Sequence, residues 1–132
     1  MASAHSSARL PIGVFDSGFG GISVLRVLAQ RFPQEDFLFF GDSAHAPYGV
    51  RSPNEIKALT LASAQAMHSI GIKALVVACN TATGAALDTL QRELPIPVVG
   101  IQPALKLAQT LRKDGQVLVM ATPATLSTLT YK

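Results

Sequence analysis

Short apolar runs alternate with longer amphipathic stretches along this chain of 132 residues. Five runs have the length and composition of buried strands, at residues 12–15, 37–40, 74–78, 98–101 and 117–120. Helical spacing follows each of them, at residues 20–31, from 52 onward, at 83–93 and 104–113, and from 122 to the chain end. This alternation predicts an α/β fold, with an open parallel sheet, right-handed crossovers and helices on both faces.

Two of the predicted helices have clear start signals. Ser52, Pro53 and Glu55 supply an N-cap, a proline at the first helical position and an acidic residue in capping-box spacing. The last helix begins at Thr122 and Pro123 and is predicted to be still running at Lys132. Because the chain stops inside a capped helix, we expect it to be part of a longer protein.

Composition narrows the class of protein. Apolar residues make up 48% of the chain and charged residues 14%, which suits a packed core. The net charge of +3 is modest and no basic run exists, so no nucleic-acid partner is predicted.

Residues 1–10 are mostly small and polar, which predicts a disordered tail rather than a signal peptide. No apolar run approaches the ~20 residues of a membrane span, and one cysteine allows no internal disulfide, so we expect a cytoplasmic protein with no membrane contact.

Polar residues follow several of the predicted strands. In an open parallel sheet the ligand site lies at the carboxyl ends of the strands, where loops lead into helices. The residues that the strands deliver there are mainly hydroxyls, amides, glycines, two carboxylates and one thiol: Asp16, Ser17, Gly18, Gly20, Gly21, Gly41, Asp42, Ser43, Pro47, Tyr48, Gly49, Cys79, Asn80, Thr81, Thr83, Thr122 and Thr125. Their convergence on one edge predicts a functional site.

The glycines after the first strand permit a tight turn and a close approach to a ligand. Free N–H groups at the following helix N-terminus are expected to bind an anion. Ser23 stands where a dinucleotide fingerprint requires its last glycine, and no Gly-Lys-Ser/Thr of a P-loop is present. A turn that only packs helix against strand is the alternative; a small carboxylate ligand fits better.

Cys79 carries the sharpest chemical signal. It ends a predicted strand just before a helix whose N-cap is expected at Asn80 or Thr81, and the positive helix end favours a thiolate. A buried, inert cysteine is the alternative. Among the three histidines only His45 is expected near the site, which weakens acyl-transfer chemistry, and one Cys with one His is too few for a metal site. A thiolate that acts as a general base on a carbon acid needs neither a histidine nor a metal ion.

No cofactor is predicted. Pyridoxal phosphate would require a Schiff-base lysine at the site. The lysines lie on predicted helices or before strands, away from the carboxyl edge: Lys57, Lys73, Lys106, Lys113 and Lys132.

Five motifs together resemble glutamate racemases of the aspartate/glutamate racemase superfamily. They are IGVFDSGFGGISVL from residue 12, GDSAHAPYG from 41, VVACNTATGAALD from 76, IPVVGIQPA from 96 and ATPAT from 121. The resemblance runs in order from about residue 11 to the chain end. It implies the first lobe, Rossmann- or flavodoxin-like, of a pseudo-symmetric two-lobe fold, with residues 11–98 forming the first lobe and 99–132 the truncated start of the second.

The resemblance also implies a reaction and residue roles. Members interconvert L- and D-glutamate without a cofactor, by two cysteines on opposite sides of Cα, and supply D-glutamate for peptidoglycan. Cys79 is similar to the thiol that deprotonates D-glutamate, and Asp16 to the acidic residue beside it. The positions that match substrate-binding ones are Ser17, Pro47, Tyr48, Gly49, Asn80, Thr81 and Thr122. A homodimer is the usual assembly of the full-length protein.

One departure from the family pattern is large. The second cysteine is absent from these 132 residues, so weak activity or none is expected of the chain alone. An aspartate racemase or another superfamily member stays an alternative. So does a non-catalytic nucleotide-binding module, in which Asp42 would contact a ribose.

Overall fold

The computed structural model describes residues 9–128, which form four strands and five helices. The strands are β1 (Ile12–Asp16), β2 (Phe37–Gly41), β3 (Ala74–Val77) and β4 (Val98–Gly100). The helices are α1 (Ile22–Arg31), α2 (Pro53–Ile70), α3 (Asn80–Glu93), α4 (Leu105–Leu111) and α5 (Pro123–Leu126), with a short 3₁₀ helix at Tyr48–Val50 before α2. The tail predicted at the amino end lies outside the described residues, apart from Arg9 and Leu10.

The four strands form one parallel sheet in the order β2-β1-β3-β4. In the register, Asp16 at the end of β1 pairs with Gly41 at the end of β2. Phe15 pairs with Val77 of β3, so Cys79 follows just beyond the end of its strand. All strands therefore point their carboxyl ends at the same edge. The predicted α/β class and parallel sheet are confirmed.

Helices pack on both faces of the sheet. On one face Gly13 of β1 lies against α2, where an added Cβ would be 3.0 Å from the methyl group of Met67. On the other face Gly21, just before α1, is so close to the sheet that a Cβ would lie 2.7 Å from Cβ of Asp16 and 3.2 Å from the ring of Phe39. Glycine is therefore required at the entry to α1 because the backbone itself touches the sheet.

The predicted start of α2 is confirmed. The Ser52 side chain accepts the backbone N–H of Glu55, and the Glu55 carboxylate accepts the backbone N–H of Ser52, which completes a capping box. Gly71 ends the helix at φ 107°, a left-handed conformation that glycine adopts without a Cβ penalty. Local sequence alone thus determines both ends of this helix.

Two predictions about the last third of the chain are wrong. Residues 117–120 do not pair with any described strand, and Leu118 and Met120 are 85% and 88% exposed. An apolar pattern makes a strand only where a neighbouring strand satisfies its backbone. The final helix α5 ends at Leu126, with Ser127 as its C-cap, instead of continuing. The division of the chain at 98/99 stays a prediction; β4 crosses that point, since Val99 and Gly100 pair with β3.

Candidate active site

A cavity of ≈ 460 Å³ opens at the carboxyl edge of the sheet, beside the ends of β1 and β3. Its walls come from the loop after β1, the start of α3, the chain after β4 and residues 119–122 before α5. Seven of the residues that the sequence placed at this edge line the cavity: Asp16, Gly20, Cys79, Asn80, Thr81, Thr122 and Thr125. The tertiary fold therefore brings residues more than 100 positions apart to one hollow.

Cys79 is the N-cap of α3, whereas the sequence predicted Asn80 or Thr81 as the cap. Its Sγ accepts the backbone N–H of Ala82 at 3.4 Å, and α3 begins at Asn80 instead of Thr83. Sulfur is a weak acceptor, so cysteine carries little capping signal in a sequence. The Oγ of Ser17 lies 3.4 Å from the same sulfur. A hydroxyl and a helix N–H are thus both placed to donate to a thiolate at Cys79.

Asp16 is 6% exposed and its carboxylate is partly used by its own loop. The Oδ2 atom accepts the backbone N–H groups of Gly18 at 3.2 Å and Gly21 at 3.1 Å. The expectation of free N–H donors in this glycine turn is therefore wrong for these two groups. They are satisfied by a carboxylate of the chain, which also weakens the nucleotide-binding alternative.

The cavity has an unusual charge balance for a site that would hold an anion. Among the described residues that line it, Asp16 and Cys79 are the ionisable ones, and no Lys, Arg or His is present. A ligand carboxylate would have to be held by hydroxyl and N–H dipoles, such as those of the first turn of α3. A ligand ammonium would be held by Asp16. The lining thus offers one carboxylate and several neutral hydrogen-bonding groups.

Tyr48 is 1% exposed and does not line the cavity; its hydroxyl is bonded to a carboxylate of the chain. It donates to Oδ2 of Asp42 at 2.6 Å, while Nδ1 of His45 contacts Oδ1 of the same carboxylate at 2.8 Å. Burial raises the pKa of Tyr48 well above its ordinary 10.0, and the bond to Asp42 adds to this effect. Burial alone would raise the pKa of Asp42, but the bonds from Tyr48 and His45 outweigh it, so that pKa lies below 3.8. Asp42 is therefore an engaged anion and is not available to a ribose.

The segment around Tyr48 contacts the cavity wall through Gly49, which lies against Thr122. A Cβ at Gly49 would lie 2.5 Å from Cβ of Thr122, so glycine permits the 3₁₀ helix to rest directly on the start of α5. Pro47, after a cis peptide bond, is exposed. Gly49 thus supports the wall that carries Thr122, and none of Pro47, Tyr48 and Gly49 lines the cavity itself.

Other residues considered in the sequence lie elsewhere. His45 has a side chain 53% exposed and pairs with Asp42, and His68 is half-buried near the end of α2. His5 lies outside the described residues. Lys57 departs from expectation, because it lines a larger neighbouring cavity of ≈ 620 Å³ together with Asn80 and Thr81. Thr125 was expected at the carboxyl edge but was given no role there; it lines both cavities and bonds to Thr81 at 2.9 Å.

Comparison with known proteins identifies the family to which the chain belongs. Residues 12–132 match the family described as Asp/Glu/Hydantoin racemase. The chain belongs to this family. A curated glutamate racemase from Clostridium botulinum (strain Hall) is 54% identical over 117 residues, which are 89% of this chain and 46% of that protein. The racemase-family chain therefore spans about half the length of the curated relatives that it matches.

Solved structures of the same family share the fold. The glutamate racemase from Aquifex pyrophilus has a TM-score of 0.84 and 39% identity, over 92% of this chain and 49% of that one. The glutamate racemase from Francisella tularensis, solved in complex with D-glutamate, has a TM-score of 0.78 and 35% identity, over 93% of this chain and 46% of that one. The racemase-family fold thus extends through the cavity-lining segments.

Within residues 9–128, no helix has both the length and the apolar character to cross a membrane. In the same part of the chain, no three His, Cys, Asp or Glu side chains come together as a set of metal ligands.

Removing the Tyr48 hydroxyl is expected to destabilise this racemase-family chain. Tyr48→Phe keeps the ring packed against Phe15 but leaves the buried Asp42 carboxylate one donor short, at a cost of about 2 kcal/mol in the free energy of unfolding. The bond lowers the pKa of Asp42, so its contribution is complete above pH 3.8 and is lost as pH falls through the lower folded-state value. Urea unfolding of both proteins from neutral pH downward measures the effect.

His45→Gln is the matched control, because it removes the other, exposed partner of Asp42. It is expected to cost less than about 0.5 kcal/mol. Equal costs for the two variants, or a Tyr48→Phe cost that does not shrink in acid, would contradict this account of Asp42.

Proposed function

We propose that this chain carries the first of the two proton-transfer centres of a cofactor-independent glutamate racemase, with Cys79 as the base. The observation that carries the proposal is the position of the Cys79 sulfur. It caps α3 inside a hollow where a hydroxyl and an N–H group face it at 3.4 Å. The names of the relatives, which are glutamate racemases, support glutamate as the substrate.

In the proposed reaction the Cys79 thiolate removes the α-proton of D-glutamate. The bond from Cα to hydrogen breaks, a bond from Sγ to hydrogen forms, and the electron pair stays on the substrate, delocalised into its α-carboxylate. Asp16 accepts the substrate ammonium or assists the transfer, and Asn80 and Thr81 donate to carboxylate oxygens. Ser17 and Thr122 contact the substrate, while their own protons go to Cys79 and Thr125. Pro47, Tyr48 and Gly49 act through the backbone and through the support that Gly49 gives to Thr122.

Inversion requires a second acid on the opposite side of Cα. These 132 residues hold a single cysteine, so a second cysteine would have to come from outside them. Relatives about twice this length have room for a second lobe with its own thiol. The proposal for the whole protein is therefore a two-lobed, cytoplasmic homodimer that supplies D-glutamate for peptidoglycan and binds neither membrane nor nucleic acid. For this chain alone we propose proton exchange with little racemisation.

Proton NMR of D-glutamate and L-glutamate, incubated separately with the chain in D2O, tests the proposal. We expect the α-proton signal of D-glutamate to disappear without inversion, because the thiol exchanges its proton with solvent and returns deuterium to the same face. D-aspartate is the matched control substrate, one methylene shorter, and is expected to exchange far more slowly.

Three outcomes would contradict the proposal. No exchange from either glutamate isomer would show that the chain holds no working base. Faster exchange from D-aspartate would move the assignment to the aspartate branch of the family. Racemisation as fast as the exchange would show that a second acid exists within these 132 residues.

A further inference from the structure

Three threonine hydroxyls form a closed triangle on one wall of the active-site cavity. Thr81 lies in the first turn of α3, Thr122 is the N-cap of α5, and Thr125 lies within α5. The Oγ1 of Thr81 is 2.9 Å from that of Thr122 and 2.9 Å from that of Thr125, and Thr122 donates to Thr125 at 2.9 Å. The triangle is the hydrogen-bonded connection between two segments more than 40 residues apart.

The members of the triangle differ in their access to a ligand. Thr125 is 3% exposed and Thr81 6%, whereas Thr122 is exposed. Thr122 is also fixed by the backbone N–H of Thr125, which its Oγ1 accepts at 3.2 Å. Thr125 is therefore the buried member on which the two cavity-facing hydroxyls depend.

The number of donors explains why the third hydroxyl matters. Each hydroxyl has one proton to donate and two lone pairs to accept with. In one arrangement Thr122 donates to Thr125, and Thr125 donates to Thr81. The hydroxyl proton of Thr81 can then be donated either to Thr122 or to a ligand. When Thr81 turns its proton to a ligand, it still accepts from Thr125 and keeps its rotamer. Without the Thr125 hydroxyl, Thr81 loses that donor and Thr122 loses an acceptor.

We propose that Thr125 is a positioning residue of this site: its buried hydroxyl fixes the rotamers of Thr81 and Thr122, so that both present oxygen atoms to the cavity beside Cys79. The expected effect of Thr125 on glutamate binding rests on the proposed function. A cavity without Lys, Arg or His among its described lining residues depends on oriented dipoles to hold a carboxylate, and such dipoles act only when they are held in place. Thr125 sets the affinity of the site without contacting the reacting atoms.

Thr125→Val tests the positioning, because it keeps the shape of the side chain and removes its hydroxyl. The readout is the side-chain rotamer of Thr81 and Thr122, measured by three-bond couplings from their labelled methyl carbons to backbone nitrogen and carbonyl carbon. We expect these couplings to move from single-rotamer values to averaged ones in Thr125→Val and to return in Thr125→Ser. Thr128→Val is the matched control, since its hydroxyl donates to the backbone oxygen of Thr125 at 2.8 Å and lies outside the triangle, and it is expected to change neither threonine.

The substrate readout is the concentration dependence of α-proton exchange from D-glutamate. We expect the apparent KM to rise about fivefold in Thr125→Val, the maximal exchange rate to stay within about twofold, and Thr125→Ser to recover most of the loss. A merely structural role would lower stability and rate in both variants without this split between KM and rate.

The outcomes separate the two proposals. If the couplings of Thr81 and Thr122 are unchanged in a folded Thr125→Val, or if Thr125→Ser does not restore them, the inference is overturned. If Thr125→Val does not fold, Thr125→Ala takes its place, because it removes the same hydroxyl with a smaller side chain. Averaged couplings at Thr81 and Thr122 in that variant would support the inference, and unchanged ones would overturn it. If the unmodified chain exchanges no glutamate, the proposed function fails while the couplings still decide the role of Thr125.

Discussion

Cys79→Ser is expected to slow α-proton exchange from D-glutamate by at least about 100-fold. The substitution changes one atom, sulfur to oxygen, and a serine hydroxyl is far too weak an acid to supply an anionic base at neutral pH. Serine is also a better N-cap than cysteine, so its Oγ should accept the Ala82 N–H at least as well as Sγ does. We therefore expect thermal stability to be unchanged or slightly higher. Loss of exchange in the variant could not then be attributed to unfolding.

The measurement is the initial rate of loss of the α-proton signal in D2O, with thermal unfolding recorded on the same samples. Ser17→Ala is the matched control, because it removes the hydroxyl that contacts the sulfur and leaves the thiol in place. It is expected to slow exchange by about tenfold or less. Exchange retained by Cys79→Ser within a few-fold would eliminate Cys79 as the base.

Gly41→Ala is expected to destabilise the fold by about 3 kcal/mol and to disturb the site at the same time. A Cβ at Gly41, at the end of β2, would overlap the backbone carbonyl oxygen of Gly18 in the loop that follows β1. Backbone cannot move aside as a flexible side chain can, so the loop would have to shift. Because Asp16 holds that loop through the Gly18 and Gly21 N–H groups, its carboxylate would shift with it.

Gly18→Ala is the matched control for this effect. A Cβ at Gly18 meets no atom within 4 Å, and its backbone is not in the left-handed region, so the substitution is expected to be nearly neutral. Urea unfolding of both variants gives the comparison. A Gly41→Ala chain as stable as Gly18→Ala would show that the approach of the two loops does not constrain the fold.

Local sequence determined most of the regular structure. Short apolar runs located the four strands that pair, and the capping box at Ser52 and Glu55 determined the start of α2. These features succeed because each depends on residues within a few positions of one another. The α/β class followed from their alternation. The location of a site at the carboxyl edge followed from the class, as a general property of parallel sheets.

The five motifs also indicated the family from sequence alone, since their residues are contiguous or nearly so. Asp16, Ser17, Cys79 and Thr81 each follow a strand end within a few positions. Once the strands are parallel, these side chains have to lie near one another. The clustering of the site was therefore predictable, whereas its internal hydrogen bonds were not.

Only the tertiary structure decided which polar groups use one another as partners. The apolar run at 117–120 has strand composition but pairs with no described strand, and most of its side chains are exposed. Asp16 satisfies the glycine N–H groups that an anion was expected to bind, and Asp42 satisfies Tyr48. The link between Thr81 and Thr125 spans 44 positions. Propensity and spacing act over one or two turns of chain, but a hydrogen bond between distant segments exists only after the sheet has brought them together.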